Sequence, residues 1–276
     1  MLKKQMKVLE LSRNELVVLK IGGSVITDKD RELGARTDVI SRIADEIYET
    51  GLRNLVIIHG GGSFGHPFAQ KYLLKDGFRS EEQVIGFAET HHVMTVLNGL
   101  FMDALIWRGI PAVSIPPSSC VVTRNGRIQY FEDAPLLRSL EIGIIPVLYG
   151  DVVFDSKLGF TVLSGDQIVS YIAQKLKASR IIIGVDVDGL YDDDPKVNPK
   201  AKLFNHLTLQ ELTKIKCSIG CSSTPDVTGG MASKISELLP AIEQGIPVII
   251  VNAVKPKTIY KAIKGERVEG TIIEKE

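Results

Sequence analysis

The sequence predicts an α/β protein, an αβα sandwich with a mainly parallel central sheet and additional β-hairpins. Short apolar runs alternate along the chain with segments of helical periodicity, the order that produces parallel βαβ units. Nearly every position within those runs is apolar, as strands covered by helices on both faces require. The chain has 276 residues, 44% hydrophobic and 24% charged, so it can bury a full core.

Six apolar runs are predicted to form the strands of this sheet. They are residues 16–21, 54–59, 111–115, 144–149, 181–186 and 247–252. The intervening periodicity predicts helices over residues 38–50, 81–107, 164–177 and 230–244. In the first helix Ile40, Ile43 and Ile47 share one face, and Asp38 is expected to cap the N-terminus.

Two hairpins are predicted to interrupt the alternation of strands and helices. The first covers residues 121–131 and turns at Asn125-Gly126, the strongest two-residue hairpin signal. The second covers residues 151–163 and turns near Gly159.

The chain is expected to form one domain, because no internal repeat or low-complexity linker divides it. A weak boundary falls near residues 175–180, where a second set of strands and helices begins. It separates an N-terminal lobe of about 16–177 from a C-terminal lobe of about 178–276.

The composition argues against several classes of partner. Lys plus Arg and Asp plus Glu both number 33, so the net charge is zero and no basic footprint for nucleic acid or anionic membranes is present. No apolar run approaches the roughly 18 residues of a membrane span. The first 15 residues lack the apolar core of a signal peptide. The three cysteines have no zinc or redox spacing, which favours a reducing compartment. We therefore expect a soluble, cytoplasmic protein.

Three glycine-rich turns are the strongest functional signal in the chain. They are the segments Lys20–Ser24 (KIGGS), His59–His66 (HGGGSFGH) and Asp226–Met231 (DVTGGM). The first two follow predicted strands, whose carboxyl ends are where open α/β sheets bind ligands. Adjacent glycines let the backbone N–H groups approach an anion closely. Three such cradles suit a nucleotide polyphosphate facing a second anionic substrate.

Two lysines and a histidine stand where they could contact such anions. Lys20 ends an apolar strand directly before Gly-Gly-Ser, and Lys234 lies one turn into the helix after the third glycine turn. Phosphoryl transfer needs cations where charge spreads over the moving group. His66 closes the second glycine turn beside this predicted anion cradle.

Two other nucleotide-binding interpretations explain less of the pattern. Gly60, Gly62 and Gly65 satisfy the dinucleotide-binding spacing, with Glu81 at about the right distance for a ribose contact. That interpretation leaves Lys20 and the other two turns unexplained. A Walker loop is also spaced correctly, but His66-Pro67 stands in place of the required Lys-Ser/Thr pair.

At these motifs the sequence resembles the amino acid kinase superfamily and, within it, the isopentenyl phosphate kinases. The resemblance covers the chain from about Leu16 and includes the segments PAVSIPPSS, YGDVV, SGDQIV and VDVDGLY. It implies transfer of the γ-phosphoryl group of ATP to isopentenyl phosphate, giving isopentenyl diphosphate for isoprenoid biosynthesis. It also implies a homodimer, an acceptor site in the N-terminal lobe and a nucleotide site in the C-terminal lobe.

The resemblance assigns roles to individual residues. It implies a catalytic set of Lys20, Lys29, His66, Asp166 and Lys234. It places ATP against Lys20, Gly22, Gly23, Ser24, Gly62, Asp186, Asp188, Gly189, Gly230 and Lys234. It places the acceptor against Gly61, Gly62, His66, Gly150 and Asp151.

Two further points concern the acceptor and the metal. Phe87 and Met94 lie seven apart on one face of helix 81–107. Such a pair commonly packs in the core, but because this helix follows the second glycine turn, we assign both residues to an apolar pocket for a five-carbon tail. No residue is clearly placed as a general base, and a phosphate monoester, largely dianionic at neutral pH, needs none. Mg²⁺ is expected to accompany ATP, held mainly by phosphate oxygens and water with no dedicated protein site.

Three hypotheses follow from the sequence. The first is the small-molecule phosphate kinase described above. The second keeps the fold but takes a phosphonate, a carboxylate or an amino acid as acceptor; His66 argues against the amino acid but not against the phosphonate. The third is a nucleotide sensor without activity, against which the intact Lys20, Asp166 and Lys234 argue.

Overall fold

The computed structural model describes residues 16–220 and 229–276. These residues form twelve strands: β1 (Val17–Ile21), β2 (Leu55–His59), β3 (Ala112–Ser114), β4 (Val121–Arg124), β5 (Arg127–Phe131), β6 (Ile145–Tyr149), β7 (Asp151–Asp155), β8 (Gly159–Leu163), β9 (Arg180–Val185), β10 (His206–Thr208), β11 (Val248–Asn252) and β12 (Gly270–Glu274). The helices are α1 (Gly23–Ile26), α2 (Thr37–Thr50), α3 (Gly62–Lys71), α4 (Glu82–Trp107), α5 (Pro117–Cys120), α6 (Ala134–Glu141), α7 (Gly165–Leu176), α8 (Leu209–Gly220), α9 (Gly229–Glu243) and α10 (Thr258–Lys264). A short 3₁₀ helix spans Leu74–Asp76.

The central sheet has eight strands in the order β10-β12-β11-β9-β1-β2-β6-β3. Among these described strands, β11 and β12 are the one antiparallel pair of neighbours. In the middle of the sheet Ile21 pairs with His59 on one side and with Gly184 on the other, and His59 pairs with Tyr149. The carboxyl ends of β1, β2, β6 and β9 therefore lie side by side, so the loops that follow them meet at one edge.

The sheet is buried because helices cover both of its faces. All five residues of β1, β2 and β6 are buried, which explains why these runs carry no alternating polar residues. On one face the core includes Val18, Ile58 and Ile183, packed with residues of α7 and α9. On the other face Leu19 and Ile57 pack with residues of α2, α4 and α10.

The predicted strands and hairpins are confirmed, and they belong to an αβα sandwich. All six predicted strands form within one residue of the expected bounds. The two hairpins, β4–β5 and β7–β8, join through parallel pairing of β4 with β7 into a separate four-stranded sheet. The turn at Asn125-Gly126 has positive φ at both residues, as a type I′ turn requires.

The helix predictions are confirmed with small corrections at the ends. The predicted face of Ile40, Ile43 and Ile47 is buried. However, α2 begins at Thr37 with Arg36 as its N-cap, so Asp38 lies within the first turn and favours the helix through its charge. Ser164 caps α7, because its side chain accepts a hydrogen bond from the Gln167 N–H at 3.2 Å.

Several short elements were not predicted, including α3, the edge strand β10 and its neighbour β12, and helices α6, α8 and α10. Within the described ranges, no helix combines the length and apolar character that crossing a membrane requires.

Candidate active site

A cavity of about 720 Å³ opens at the carboxyl edge of the central sheet, where the glycine-rich turns meet. Most of the site residues predicted from the sequence line it. These are Lys20, Gly22, Gly23, Ser24, Lys29, Gly61, Gly62, His66, Met94, Gly150, Asp151, Asp166, Asp186, Gly189 and Lys234. The cavity lies within the size range of small-molecule sites, and its lining joins residues from both ends of the chain.

The first two glycine turns are held against the sheet and against each other by their backbones. The Gly22 N–H donates to the Gly184 carbonyl at 2.8 Å, and the Gly60 N–H donates to the Ile21 carbonyl at 2.9 Å. A Cβ at Gly23 would lie 2.2 Å from the Gly62 nitrogen, closer than any side chain can approach. The two turns therefore form one continuous backbone floor, which requires glycine at Gly23.

The second turn continues directly into helix α3, so His66 lies in the second turn of a helix and not in a loop. The helix N-terminus points its N–H groups and the positive end of its dipole toward the same end of the sheet as the other turns. Pro67 follows His66 inside α3, with its side chain at the cavity wall. This placement delivers the imidazole to the cavity beside a backbone anion cradle.

Lys20 and Asp166 form a buried ion pair on the cavity floor. The Lys20 Nζ atom lies 2.8 Å from Asp166 Oδ1, and the two side chains are 4% and 15% exposed. Lys20 extends from the end of β1, whereas Asp166 lies in the first turn of α7. The carboxylate thus fixes the direction of the ammonium group, which places a positive charge between the glycine turns.

Lys234 and His66 share this region with Lys20, and the pKa values of Lys234 and His66 are both lowered there. Burial, followed by the charge of Lys20, lowers the pKa of Lys234. Desolvation, followed by the charges of Lys234 and Lys20, lowers the pKa of His66. The positive charge that lowers the pKa values of Lys234 and His66 favours an anion here, because a bound phosphate relieves the repulsion.

A second group of charges surrounds Asp186, on the side of the cavity next to β9. Asp186, just after β9, pairs with Lys196 at 2.6 Å and more distantly with Lys29 at 3.9 Å. The pKa of Asp186 is lowered despite its burial, chiefly by the hydrogen bond from Lys196. The Lys29 side chain is 68% exposed, so it is able to move onto a ligand.

At the other side of the cavity, Asp151 is completely buried and paired with His91. The Asp151 Oδ2 atom lies 2.9 Å from His91 Nδ1. Burial raises the pKa of Asp151, although the His91 contact opposes the shift. The same hydrogen bond raises the pKa of His91. The pair ties helix α4 to the start of β7 and so fixes one wall of the cavity.

An apolar wall lies next to the second glycine turn. The Met94 side chain is buried, and its sulfur lies 2.9 and 2.8 Å from where Cβ atoms at Gly61 and Gly65 would stand. Ala69 and Val162 line the same cavity. This wall can accept a short hydrocarbon chain.

Two predicted site residues, Phe87 and Asp188, do not line the cavity, and a third, Gly230, adjoins a segment that the structure does not describe. Phe87 does not line the cavity; its ring stacks on Phe154 and packs against Phe160. Asp188 also does not line it, because its carboxylate turns to Lys255 Nζ at 2.6 Å and Asn252 Nδ2 at 2.9 Å. Gly230 lies in the first turn of α9, and the preceding DVT of its motif lies outside the described residues.

Sequence reasoning missed several residues that line the cavity. They are Ser63, Thr90, Asp193, Asp194 and Lys196. Asp193 and Asp194 stand in an acidic run before Pro195, a composition typical of a solvated loop. Ser63 stands within the HGGGSFGH motif and could have been suspected from it, whereas Thr90 and Lys196 carried no local signal.

No group of three or more His, Cys, Asp or Glu side chains in the described ranges is arranged to hold a metal ion. The cavity carboxylates Asp166, Asp151 and Asp186 instead pair with basic side chains.

A parallel sheet with glycine turns and converging cations at its carboxyl edge defines a phosphate-handling protein, and comparison with known proteins agrees. The chain belongs to the amino acid kinase family, whose model matches residues 15–252. Within that family it is similar to the isopentenyl phosphate kinases. The kinase of Methanothermobacter thermautotrophicus is 44% identical over 266 residues, covering 94% of this chain and 98% of that protein. The kinase of Methanocaldococcus jannaschii is 38% identical over 94% of this chain and 98% of its own length.

A solved structure gives the same result. An X-ray structure of isopentenyl phosphate kinase superposes with a TM-score of 0.82 at 41% identity, covering 94% of this chain and 100% of that chain. This likeness confirms the predicted fold class and the resemblance on which the site assignments depend.

Proposed function

We propose that this protein transfers the γ-phosphoryl group of ATP to isopentenyl phosphate, giving isopentenyl diphosphate and ADP. The observation that carries the proposal is the convergence of Lys20, Lys234 and His66 on one cavity between two glycine turns. The identity to isopentenyl phosphate kinases over 94% of the chain supports the choice of acceptor. The product serves isoprenoid biosynthesis, and the reaction is a step of the alternate mevalonate pathway.

In this proposal the two lobes supply different substrates. ATP lies toward the C-terminal lobe, about residues 178–276, against the KIGGS turn, Asp186, Gly189 and the start of α9. Isopentenyl phosphate lies toward the N-terminal lobe, about residues 16–177, with its phosphate on Gly61, Gly62 and His66. Support comes from the strand order, in which β1, which carries Lys20, lies between β9, which precedes Asp186, and β2, which precedes the second glycine turn.

Catalysis rests on charge and position. Lys20, held by Asp166, and Lys234 stabilise the negative charge of the phosphoryl group during in-line transfer. The exposed Lys29 closes onto the same group when ATP is bound. His66 donates a hydrogen bond to the acceptor phosphate. Gly150 and Asp151, supported by His91, form the wall beside the acceptor.

The pairing of the carboxylates favours an acceptor that needs no general base. Asp151, Asp166 and Asp186 each engage a basic side chain, and these contacts hold the carboxylates in structural pairs. A phosphate monoester has a second pKa of about 6 and already carries its nucleophilic oxygen as an anion. The apolar wall at Met94 is suited to the five-carbon chain.

Mg²⁺ accompanies ATP in this proposal. The ion would be bound mainly by phosphate oxygens and water, and it would neutralise charge on the phosphates. We further propose that the protein is cytoplasmic and forms a homodimer. Light scattering of the purified protein would test the homodimer.

The test of the proposed function is a screen of ADP release by the purified protein. The acceptors are isopentenyl phosphate, dimethylallyl phosphate, glutamate, carbamate and the phosphonate fosfomycin. We expect the highest kcat/KM with isopentenyl phosphate. Preference for glutamate, carbamate or fosfomycin would replace the proposal with another kinase activity of the same fold, and no release with any acceptor would favour a nucleotide sensor.

A further inference from the structure

The first two glycine turns are joined by a buried hydroxyl that none of the roles above uses. Thr27 ends helix α1, after the KIGGS turn, and is 1% exposed. Its Oγ1 atom donates a hydrogen bond to the Gly23 carbonyl at 2.8 Å and accepts one from the Ser63 N–H at 3.0 Å. One hydroxyl therefore links the turn before α1 to the first turn of α3.

This link substitutes for an ordinary helix cap. The N-cap of α3 is Gly61, which has no side chain to accept a hydrogen bond from the first turn. The Thr27 hydroxyl, 36 residues earlier in the chain, takes the Ser63 N–H instead. The direction in which α3 leaves the sheet is thus tied to the position of the KIGGS turn.

The packing around the hydroxyl leaves little freedom. A Cβ at Gly62 would lie 2.0 Å from Thr27 Oγ1 and 2.8 Å from the Gly23 carbonyl oxygen. Gly62 also has a positive φ of 50°. Both conditions exclude a side chain at Gly62, so the hydroxyl can lie close against the backbone of the second turn.

We propose that Thr27 is a positioning residue that sets the separation between the ATP-binding and acceptor-binding turns. The proposal rests on the proposed function, in which the KIGGS turn holds ATP and the second turn holds the acceptor phosphate. Phosphoryl transfer depends on the in-line approach of the two phosphates, and a misplacement of about 1 Å can cost about 100-fold in rate. A bond between the two turns therefore affects kcat more than the binding of either substrate.

The experiment compares two substitutions that separate the hydroxyl group of Thr27 from its methyl group. Thr27→Val removes the hydroxyl and keeps the branched shape, whereas Thr27→Ser keeps the hydroxyl and removes the methyl group. For Thr27→Val we expect kcat to fall about 10- to 100-fold, with KM for ATP and for isopentenyl phosphate within about threefold of wild type. Thr27→Ser should keep kcat within about threefold. Thr213→Val, on the exposed face of α8, is the matched control and should behave as wild type.

Hydrogen–deuterium exchange gives a readout that does not depend on activity. In Thr27→Val the peptide that contains the Ser63 amide should exchange about tenfold faster than in wild type, and in Thr27→Ser it should not. If Thr27→Val does not fold, Thr27→Ala removes the same hydroxyl with less steric demand and takes its place.

The outcomes separate this proposal from the proposed function. Wild-type protein inactive on isopentenyl phosphate would refute the function, while the exchange measurement would still test the link. An active wild type with unchanged kcat and unchanged exchange in Thr27→Val would overturn the role of Thr27. Equal loss in Thr27→Ser, which keeps the hydroxyl, and in Thr27→Val would show that the hydroxyl is not what sets kcat, and it would also overturn the proposal.

Discussion

Replacement of His66 tests how the cavity holds the acceptor. The ring lies on α3 beside the second glycine turn, and its desolvation, followed by the charges of Lys234 and Lys20, lowers its pKa. This shift favours the uncharged imidazole, which has one N–H to donate. We expect it to donate to the acceptor phosphate and to act neither as a nucleophile nor as a metal ligand.

The magnitude follows from the chemistry of that hydrogen bond. A hydrogen bond to a charged group contributes about 1.5–3 kcal/mol, and about 1.4 kcal/mol corresponds to a factor of ten. His66→Ala should lower kcat/KM for isopentenyl phosphate about 10- to 160-fold. His66→Gln and His66→Asn keep an N–H donor and should recover part of the loss. KM for ATP should stay near the wild-type value in all three variants.

The assay is steady-state ADP release with isopentenyl phosphate varied at saturating ATP. Because the pKa of His66 lies below its ordinary value of 6.5, the ring stays neutral at higher pH. The ratio of wild-type to His66→Gln activity should then be constant above about pH 7. Full activity of His66→Ala, or a phosphohistidine trapped at His66 with labelled ATP alone, would refute this reasoning.

Three further predictions follow from the cavity. Lys20→Met should lower kcat far more than it raises KM for ATP, because the charge acts mainly in the transition state; unchanged kcat with a raised KM would assign Lys20 to ground-state binding. Met94→Ala should shift acceptor preference toward longer prenyl phosphates by about 10-fold or more. Phe87→Ala, outside the cavity, should not shift it. Equal chain-length preference in both variants would show that Met94 has only a packing role. His91→Gln should lower Tm more at about pH 5.5 than at about pH 8.5. The contact with Asp151 raises the pKa of His91, so the stability that the contact adds is complete below pH 6.5 and is lost as pH rises through the raised pKa. A difference in Tm between wild type and variant that does not change with pH would contradict this prediction.

The sequence was most informative where burial leaves a simple pattern. Strands such as β1 and β2 are covered on both faces, so their apolar runs alone predict them. The glycine turns were found for a similar reason: Gly23 and Gly62 stand where backbones touch, and the fold tolerates no side chain there.

Helix α3 escaped prediction because its local sequence opposes a helix. Gly62, Gly65 and Pro67 all have poor helix propensity, yet the segment is helical. The cap for this helix comes from Thr27, in a different turn, and its buried Phe64 belongs to the core. Such stabilisation comes from tertiary contacts and leaves no local pattern to detect.

The pocket prediction failed at Phe87 for a geometric reason. Residues seven apart share a helix face but are separated by about 10 Å along the axis. Met94 reaches the glycine turn, and Phe87 lies two turns away against Phe154 and Phe160. The roles of Lys29 and Asp166 depended on the resemblance alone, because their approach to the cavity requires contacts between distant segments.

The central claim is that a phosphoryl group passes from ATP to the phosphate of isopentenyl phosphate. Phosphorus-31 NMR of the wild-type protein with ATP, Mg²⁺ and isopentenyl phosphate observes both substrates and both products at once. We predict that the phosphomonoester resonance disappears while two coupled diphosphate resonances and the signals of ADP grow in step. Conversion of ATP to ADP and inorganic phosphate with the phosphomonoester unchanged, or no reaction, would contradict the account.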